Sequence, residues 1–375
     1  MTCELRMTDA SLEDDVIIFV SASILCYHKN MFNKIKKLID KELFEFAKEM
    51  DKLYHLDKIS PVLSKTIRDY MLGEGKRLRP CLFVTAYLGF AKKISPSIYR
   101  SALSIELLHD FMLIHDDIID KSHTRRGRPS MHKMLAKLLG RRKNLKFSGE
   151  ELAIVVGDVI YAMAIDLFLS IKEAPVRKEL ALKKFIETAI YTGGGEFIEL
   201  ILGIKDLGEI TKEDIYKIYD YKTAYYTFAC PLSIGAILGG ADQEQLRIIS
   251  KYGLYLGGAF QIKDDLLGMF SEESKTGKSG LVDLQEAKKT ILIWHAYKNS
   301  SRKQKVLIKK LMAKKIITNA DLLIMRKILI DSGAKEYGQK EISRLLNKAK
   351  CLILSSAMRP QYKNLLYDYS RQILS

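Results

Sequence analysis

The sequence predicts an all-α protein, folded as one domain of ten or more helices. Three observations lead there. Apolar residues recur at three- and four-residue spacing along most of the chain. Sustained two-residue alternation, the mark of a half-buried strand, is nearly absent. The seven prolines (Pro61, Pro80, Pro96, Pro129, Pro175, Pro231 and Pro360) fall where helices would start or stop. Of the 375 residues, 47% are hydrophobic and 28% charged, a balance that supports a packed core and excludes a disordered chain. No repeat of solenoid period is visible.

Residues 1–30 precede the regular pattern and are read as an N-terminal extension, disordered or a misassigned start. Their apolar run, "VIIFVSASILCY", has 12 residues, short of the roughly 18 that a membrane span needs. The acidic "LEDD" before it does not suit a signal peptide. Residues 31–375 are read as the functional domain. Its first helix, "MFNKIKKLIDKELFEFAKEM", aligns Ile35, Leu38, Ile39, Leu43 and Phe46 along one stripe. The basic, polar stretch Gly140–Glu151 reads as a surface loop. The apolar "LAIVVGDVIYAMAIDLFL" carries Asp158 and Asp166, which argues for a core helix.

The formal charge is +16, and Lys298–Ser375 alone holds 18 Lys/Arg against 5 Asp/Glu. A solvated helical surface explains this better than nucleic-acid binding, because no aromatic-and-basic signature or zinc spacing accompanies it. The same region suits peripheral contact with an anionic membrane. The five cysteines form no CxxC pair and read as free thiols of a reducing cytoplasm.

The chemistry starts at "LLHDFMLIHDDIID" (Leu107–Asp120). On a helix from Ile105 to Asp120, residues Glu106, His109, Asp110, Asp116, Asp117 and Asp120 share one side. Leu107, Leu108, Phe111, Ile114 and Ile118 cover the other. Carboxylates this close repel, so protons or cations must neutralise them. Hard oxygen ligands in a half-filled set suit magnesium, which keeps waters and recruits substrate phosphates. A second cluster, "GGAFQIKDDLLG", adds Asp264 and Asp265. Two such clusters facing across a cavity imply a polyanionic ligand, most simply a diphosphate. Basic motifs complete such a site: Lys76, Arg77 and Arg79 in "GEGKRLRP"; Arg125, Arg126 and Arg128 in "RRGRP"; Lys222 and Thr223 in "YKTAYY"; Lys278, Asp283, Lys288 and Lys289 further on. Arginine forks fit phosphate bidentately.

With these motifs in this order the chain, from Met31 on, resembles the trans-isoprenyl diphosphate synthases, the family of farnesyl and geranylgeranyl diphosphate synthases. It is most similar to the archaeal type of geranylgeranyl diphosphate synthase. The resemblance implies an isoprenoid-synthase-type helical bundle with a central active-site cavity, and a cytoplasmic homodimer. It implies a magnesium-dependent head-to-tail condensation of isopentenyl diphosphate with an allylic diphosphate, in which the allylic C–O bond ionises, the isopentenyl double bond attacks and a proton is lost. It assigns Lys76, Arg79, His109 and Arg126 to isopentenyl diphosphate. Arg125, Lys222, Thr223, Gln261 and Lys278 go to the allylic diphosphate and its cation, with Lys222, Thr223 and Gln261 as catalytic contacts. Asp116, Asp117, Asp120, Asp264 and Asp265 fall to several Mg2+ ions. Four features depart from the family pattern: Gly268 replaces a third aspartate, Glu196 stands where glutamine is usual, Ala287 replaces a glycine, and the Gly140–Glu151 loop is long.

Phe111 and Met112 lie five and four residues before Asp116, where the resemblance implies the floor of the product tunnel. An aromatic at the first position and a non-aromatic at the second resemble the pattern for geranylgeranyl diphosphate, with the farnesyl product as alternative. Other classes fit the motifs less well. A metal phosphohydrolase would use the doublets His109–Asp110 and His115–Asp116, but His28, His55, His123, His132 and His295 add no third. A non-catalytic subunit of a prenyl synthase would fit the altered motifs, but not the intact first cluster. A terpene cyclase or head-to-head synthase would not need "GKRLRP" and "RRGRP".

Overall fold

The computed structural model describes residues 11–125, 127–140, 144–271 and 284–374, with side chains from residue 30 to residue 371. The elements run α1 (Ser11–Tyr54), α2 (Leu56–Ile59), α3 (Pro61–Met71), α4 (Leu78–Phe90), α5 (Ile98–Ser101) and α6 (Leu103–Ile119). After a two-stranded hairpin, β1 (Thr124–Arg125) and β2 (Arg128–Pro129), come α7 (Met131–Leu139), α8 (Gly149–Leu169), α9 (Pro175–Gly203) and α10 (Lys212–Ile218). A π-helix, π1 (Tyr219–Ala229), leads into α11 (Cys230–Gly239) and α12 (Gln243–Phe270). The chain ends with α13 (Ile291–Asn299), α14 (Arg302–Met312), α15 (Asn319–Asp331), α16 (Ala334–Ser355) and α17 (Pro360–Leu374). The architecture is all-α, as expected.

Sequence chemistry explains where the helices begin. Pro61 and Pro175 open α3 and α9, where a missing N–H leaves no bond unmade. Ser148 and Glu151 form a reciprocal capping box at the start of α8 and so end the basic loop before it. Thr211–Asp214, Ser301–Gln304 and Thr318–Asp321 repeat that device on α10, α14 and α15. On α1, Ile35, Ile39, Leu43 and Phe46 are buried as their spacing predicts. The α1 backbone is continuous across the boundary expected between residues 30 and 31.

At the centre α4 and α11 are buried along nearly their whole length. They pack backbone to backbone: a Cβ at Gly235 would lie 2.2 Å from the Phe83 carbonyl oxygen. Around this pair stand α1, α6, α9, π1, α12 and α17. A second apolar cluster joins α10, α13, α14, α15 and α16, with Ile215, Leu292, Ile308, Met325 and Leu345 inside it. Helix α12 runs through both cores, giving Ile249 and Leu256 to the first and Ile262 and Met269 to the second. By length and composition α8 could cross a membrane. Its Ala153, Val156, Ile160 and Ala164 instead belong to the first core, and its Asp166 accepts a 2.8 Å hydrogen bond from Tyr54. Cys81 and Cys230 are buried free thiols, and Cys351 is an exposed one.

Ala287, the residue in place of a family glycine, has φ +51°. The backbone here keeps a left-handed conformation that suits glycine, at a cost of about 1–2 kcal/mol for an L side chain.

Candidate active site

Helix α6 is the base of the site. Its N-terminal half is buried on all sides, so Glu106 sits inside the protein with its side chain 1% exposed. Arg77 accounts for this. Its guanidinium donates to Glu106 at 2.7 Å, to Asp40 at 3.0 Å and to the Gly73 carbonyl at 2.6 Å. Arg77, expected among the phosphate-binding cations, has its guanidinium committed to these partners and fastens the Gly73–Arg77 segment to α1 and α6.

The last turn of α6 carries the acid cluster. Asp116 and Asp120 stand one turn apart, and Glu196 of α9 joins them: one carboxylate oxygen from each of the three lies within 4.8 Å of the others. A glycine permits this approach, since a Cβ at Gly195 would lie 2.5 Å from the Lys222 backbone nitrogen. Lys222, on π1, is 2.7 Å from Glu196 and 3.7 Å from Asp116, and is also paired with Glu199. Burial alone would weaken its protonation, but Glu199, Glu196 and Asp116 more than offset this and hold it charged. Arg125, on β1, donates to Asp117 at 2.8 Å and to Asp116 at 2.9 Å. Burial and the neighbouring Asp116 push the Asp120 carboxyl up to about 6. Burial likewise raises Glu196. Asp117 is raised by burial, against the pull of Arg125, and its buried Oδ2 has no hydrogen-bond partner. This donor set consists of hard carboxylate oxygens crowded into one place, which fits a divalent cation such as magnesium.

Beside the cluster lies a cavity of about 910 Å³ whose walls include Lys36, Lys76, Arg77, Arg79, His109, Thr227 and Phe260. Arg79 donates to Thr227 at 2.8 Å, contacts His109 Nε2 at 3.0 Å and lies 4.2 Å over the Tyr226 ring. His109 Nδ1 is hydrogen-bonded to the Tyr226 hydroxyl. Lys76 is exposed on the same wall. Helix α12 closes the site through a chain of hydrogen bonds. Thr223 donates to Gln261 Oε1 at 2.7 Å, and Gln261 Nε2 donates to Asp265 Oδ1 at 3.0 Å. Asp265 Oδ2 accepts from Tyr219, whose oxygen accepts from the Ile291 amide at 2.8 Å. Asp265 is therefore buried and committed to α12–π1 packing, whereas Asp264 next to it is exposed.

Below the acid cluster, Phe111 stacks on Tyr161 of α8 with ring centroids 4.8 Å apart, and meets the His115 ring at a tilt, with centroids 4.5 Å apart. Met112 is half-buried and packs against the main core.

The structure thus brings together Asp116, Asp120, Arg125 and Lys222 in one group, Arg79, His109 and Lys76 in a second, and Thr223, Gln261 and Asp265 in a third. Arg126 and Lys278, expected to bind the two diphosphates, lie outside the described residues, as does Asp283. Lys289 does not face the cluster: its ammonium caps the end of α9 at the Leu202, Gly203 and Lys205 carbonyls. Sequence reasoning missed Glu199, Tyr226 and Tyr219, and took Glu196 only as a departure. Glu199 had a signal: it is three residues after Glu196, on the same face of a helix.

Residues 60–326 match the model of the Polyprenyl synthetase family. The chain is 28% identical to the geranylgeranyl diphosphate synthase of Sulfolobus acidocaldarius, over 86% of this chain and 92% of that protein. It is 30% identical to the geranylfarnesyl diphosphate synthase of Aeropyrum pernix, over 79% and 89%. The fold is similar to the crystal structure of geranylgeranyl pyrophosphate synthase from Corynebacterium glutamicum complexed with isoprenyl diphosphate and magnesium. That superposition has a TM-score of 0.82, with 25% identity, and covers 91% of this chain and 98% of that one.

Proposed function

This chain belongs to the polyprenyl synthetase family, and from that premise we propose that it condenses isopentenyl diphosphate with allylic diphosphates into a short-chain all-trans prenyl diphosphate, with geranylgeranyl diphosphate as the product. The observation that carries this reading is the convergence of Asp116, Asp120, Arg125 and Lys222 next to a separate basic wall of Lys76, Arg79 and His109. One acid-and-base cluster and one predominantly basic wall suit two diphosphates, of which only one must ionise.

Lys76, Arg79, His109 and Arg126 seat the isopentenyl diphosphate. Arg125, Lys222 and Lys278 meet the allylic diphosphate. The Thr223 and Gln261 oxygens present dipoles to the allylic cation. Asp116, Asp117, Asp120 and Asp264 would hold magnesium ions, whose charge would offset that building on a leaving diphosphate. The last proton goes to the departing diphosphate, so no separate base is needed. The catalytic domain takes in residues 31–375, and the reduced cysteines suit a cytoplasmic enzyme. Incubating the protein with magnesium, dimethylallyl diphosphate and isopentenyl diphosphate, then sizing the products, tests the reading; release of inorganic phosphate without chain growth would remove it.

Phe111 sets the product length in this reading. It lies about 7–8 Å along the helix before Asp116, and its ring is held by Tyr161 and His115. Phe111→Ala is expected to lengthen the main product by one or more isoprene units, read by mass spectrometry of the dephosphorylated alcohols. An unchanged product spectrum would take Phe111 out of the tunnel floor.

The homodimer forms through α9. Its Ile186, Ile190, Phe197, Leu200 and Ile201, with Ile204 at its C-cap, are exposed apolar side chains along one stripe, with Phe197 65% and Ile204 84% exposed. Such a contiguous patch marks an interface. Light scattering should give the parent twice the 42.8 kDa chain mass and Phe197→Lys the chain mass alone. A monomeric parent would sink this part of the reading.

A further inference from the structure

We infer that Glu196 is a direct ligand of a divalent cation in the first acid cluster, so that this chain draws one metal-binding oxygen from α9 in addition to those of α6. The inference rests on the metal-dependent function proposed above. It concerns the position where the resembled family usually has a neutral glutamine.

The first support is distance. Oxygens of Asp116, Asp120 and Glu196 lie within 4.8 Å of one another. Two oxygens bound to one cation at about 2.0–2.6 Å are separated by no more than about 5 Å. The donors come from two helices, so their meeting is a tertiary feature and not a by-product of helical spacing. The second support is the backbone approach at Gly195, which leaves no room for a Cβ against Lys222 and fixes α9 where Glu196 reaches α6. The third is that a cation already lies between these acids: the Lys222 ammonium is 2.7 Å from Glu196 and 3.7 Å from Asp116.

Charge then decides between a ligand and a mere counter-ion. Glu196 is only 16% exposed, so its charge needs a partner. Lys222 is the nearest one, but it also serves Glu199 and Asp116. Arg125 is engaged by Asp116 and Asp117. Lys288, which acts on Asp120, is paired with Glu286 at 2.7 Å. The acids around Asp120 and Glu196 outnumber the cations that reach them, and a divalent ion supplies the difference. Ligand charge is also what tunes affinity at oxygen sites.

The test is Mn2+ titration of the whole protein followed by electron paramagnetic resonance, with inorganic diphosphate present and no prenyl substrate. Glu196→Gln is expected to weaken Mn2+ binding by about tenfold. Glu199→Gln, which removes another partner of Lys222 but no member of the oxygen trio, is expected to change it less than about threefold. Equal weakening by both variants would mean that Glu196 only balances Lys222, and would overturn the inference. So would unchanged binding in Glu196→Gln, or a parent that binds no Mn2+. Circular dichroism confirms that each variant is folded. A parent that elongates prenyl chains while Glu196→Gln binds Mn2+ normally would sink this inference alone and leave the proposed function standing.

Discussion

Asp116→Asn should lower kcat/KM for prenyl transfer by about a thousandfold, a loss of roughly 4 kcal/mol of transition-state stabilisation. The size follows from how many contacts end on this one carboxylate. Asp116 belongs to the oxygen trio with Asp120 and Glu196, accepts from Arg125 and lies 3.7 Å from Lys222. Asparagine keeps the shape but removes the charge that collects cations around a leaving diphosphate. Its amide NH2 would also turn a donor toward Arg125 or Lys222, which are themselves donors. Folding should survive, because the Asp116 side chain is 27% exposed and Arg125 keeps Asp117 as a partner. The check is initial rates at saturating magnesium beside a melting curve. Parent-like elongation by Asp116→Asn, with its fold intact, would remove the acid cluster from the chemistry.

The parts of this site that were legible in the sequence are those whose chemistry is local. Asp116 and Asp120 announce themselves because four-residue spacing on a helix stacks their charges whatever the rest of the chain does. "GEGKRLRP" and the lysine of "YKTAYY" signal anion binding in the same way. What could not be read depends on which helix meets which. Arg77 and Arg79 are two residues apart, chemically alike and both at the cavity wall, yet the Arg77 guanidinium is committed to buried Glu106 while that of Arg79 reaches His109 and Thr227. Asp264 and Asp265 are neighbours, yet one is exposed and the other is locked by Gln261 and Tyr219. No period in the sequence marks π1, because its wider turn emerges only with α9 and α12 packed on either side. Glu196 has meaning only through Gly195, which brings α9 to Lys222.

Glu106→Ala should destabilise the protein by about 3–5 kcal/mol, the usual result of stripping one partner from a buried ion pair. The Arg77 and Glu106 side chains are 4% and 1% exposed, so water does not screen them. Arg77 would keep Asp40 and the Gly73 carbonyl, but Asp40 is 36% exposed and cannot replace a fully buried carboxylate. Burial alone would ease deprotonation of Arg77, yet the nearby acids, Glu106 first, more than reverse this. The guanidinium therefore cannot escape the cost by giving up its proton. The urea midpoint should fall accordingly, and the double variant Arg77→Met/Glu106→Leu should recover most of the loss, since a matched apolar pair leaves no charge unmet. The double variant should not recover function in step. Arg77 also ties the Gly73–Arg77 loop to α6, and that loop carries Lys76 and leads into the first turn of α4, which carries Arg79, at the cavity wall. With the tie gone, KM for isopentenyl diphosphate should rise more than kcat falls. If stability returns and KM stays at the parent's value, the buried pair serves the fold alone, and the loop finds its position without it.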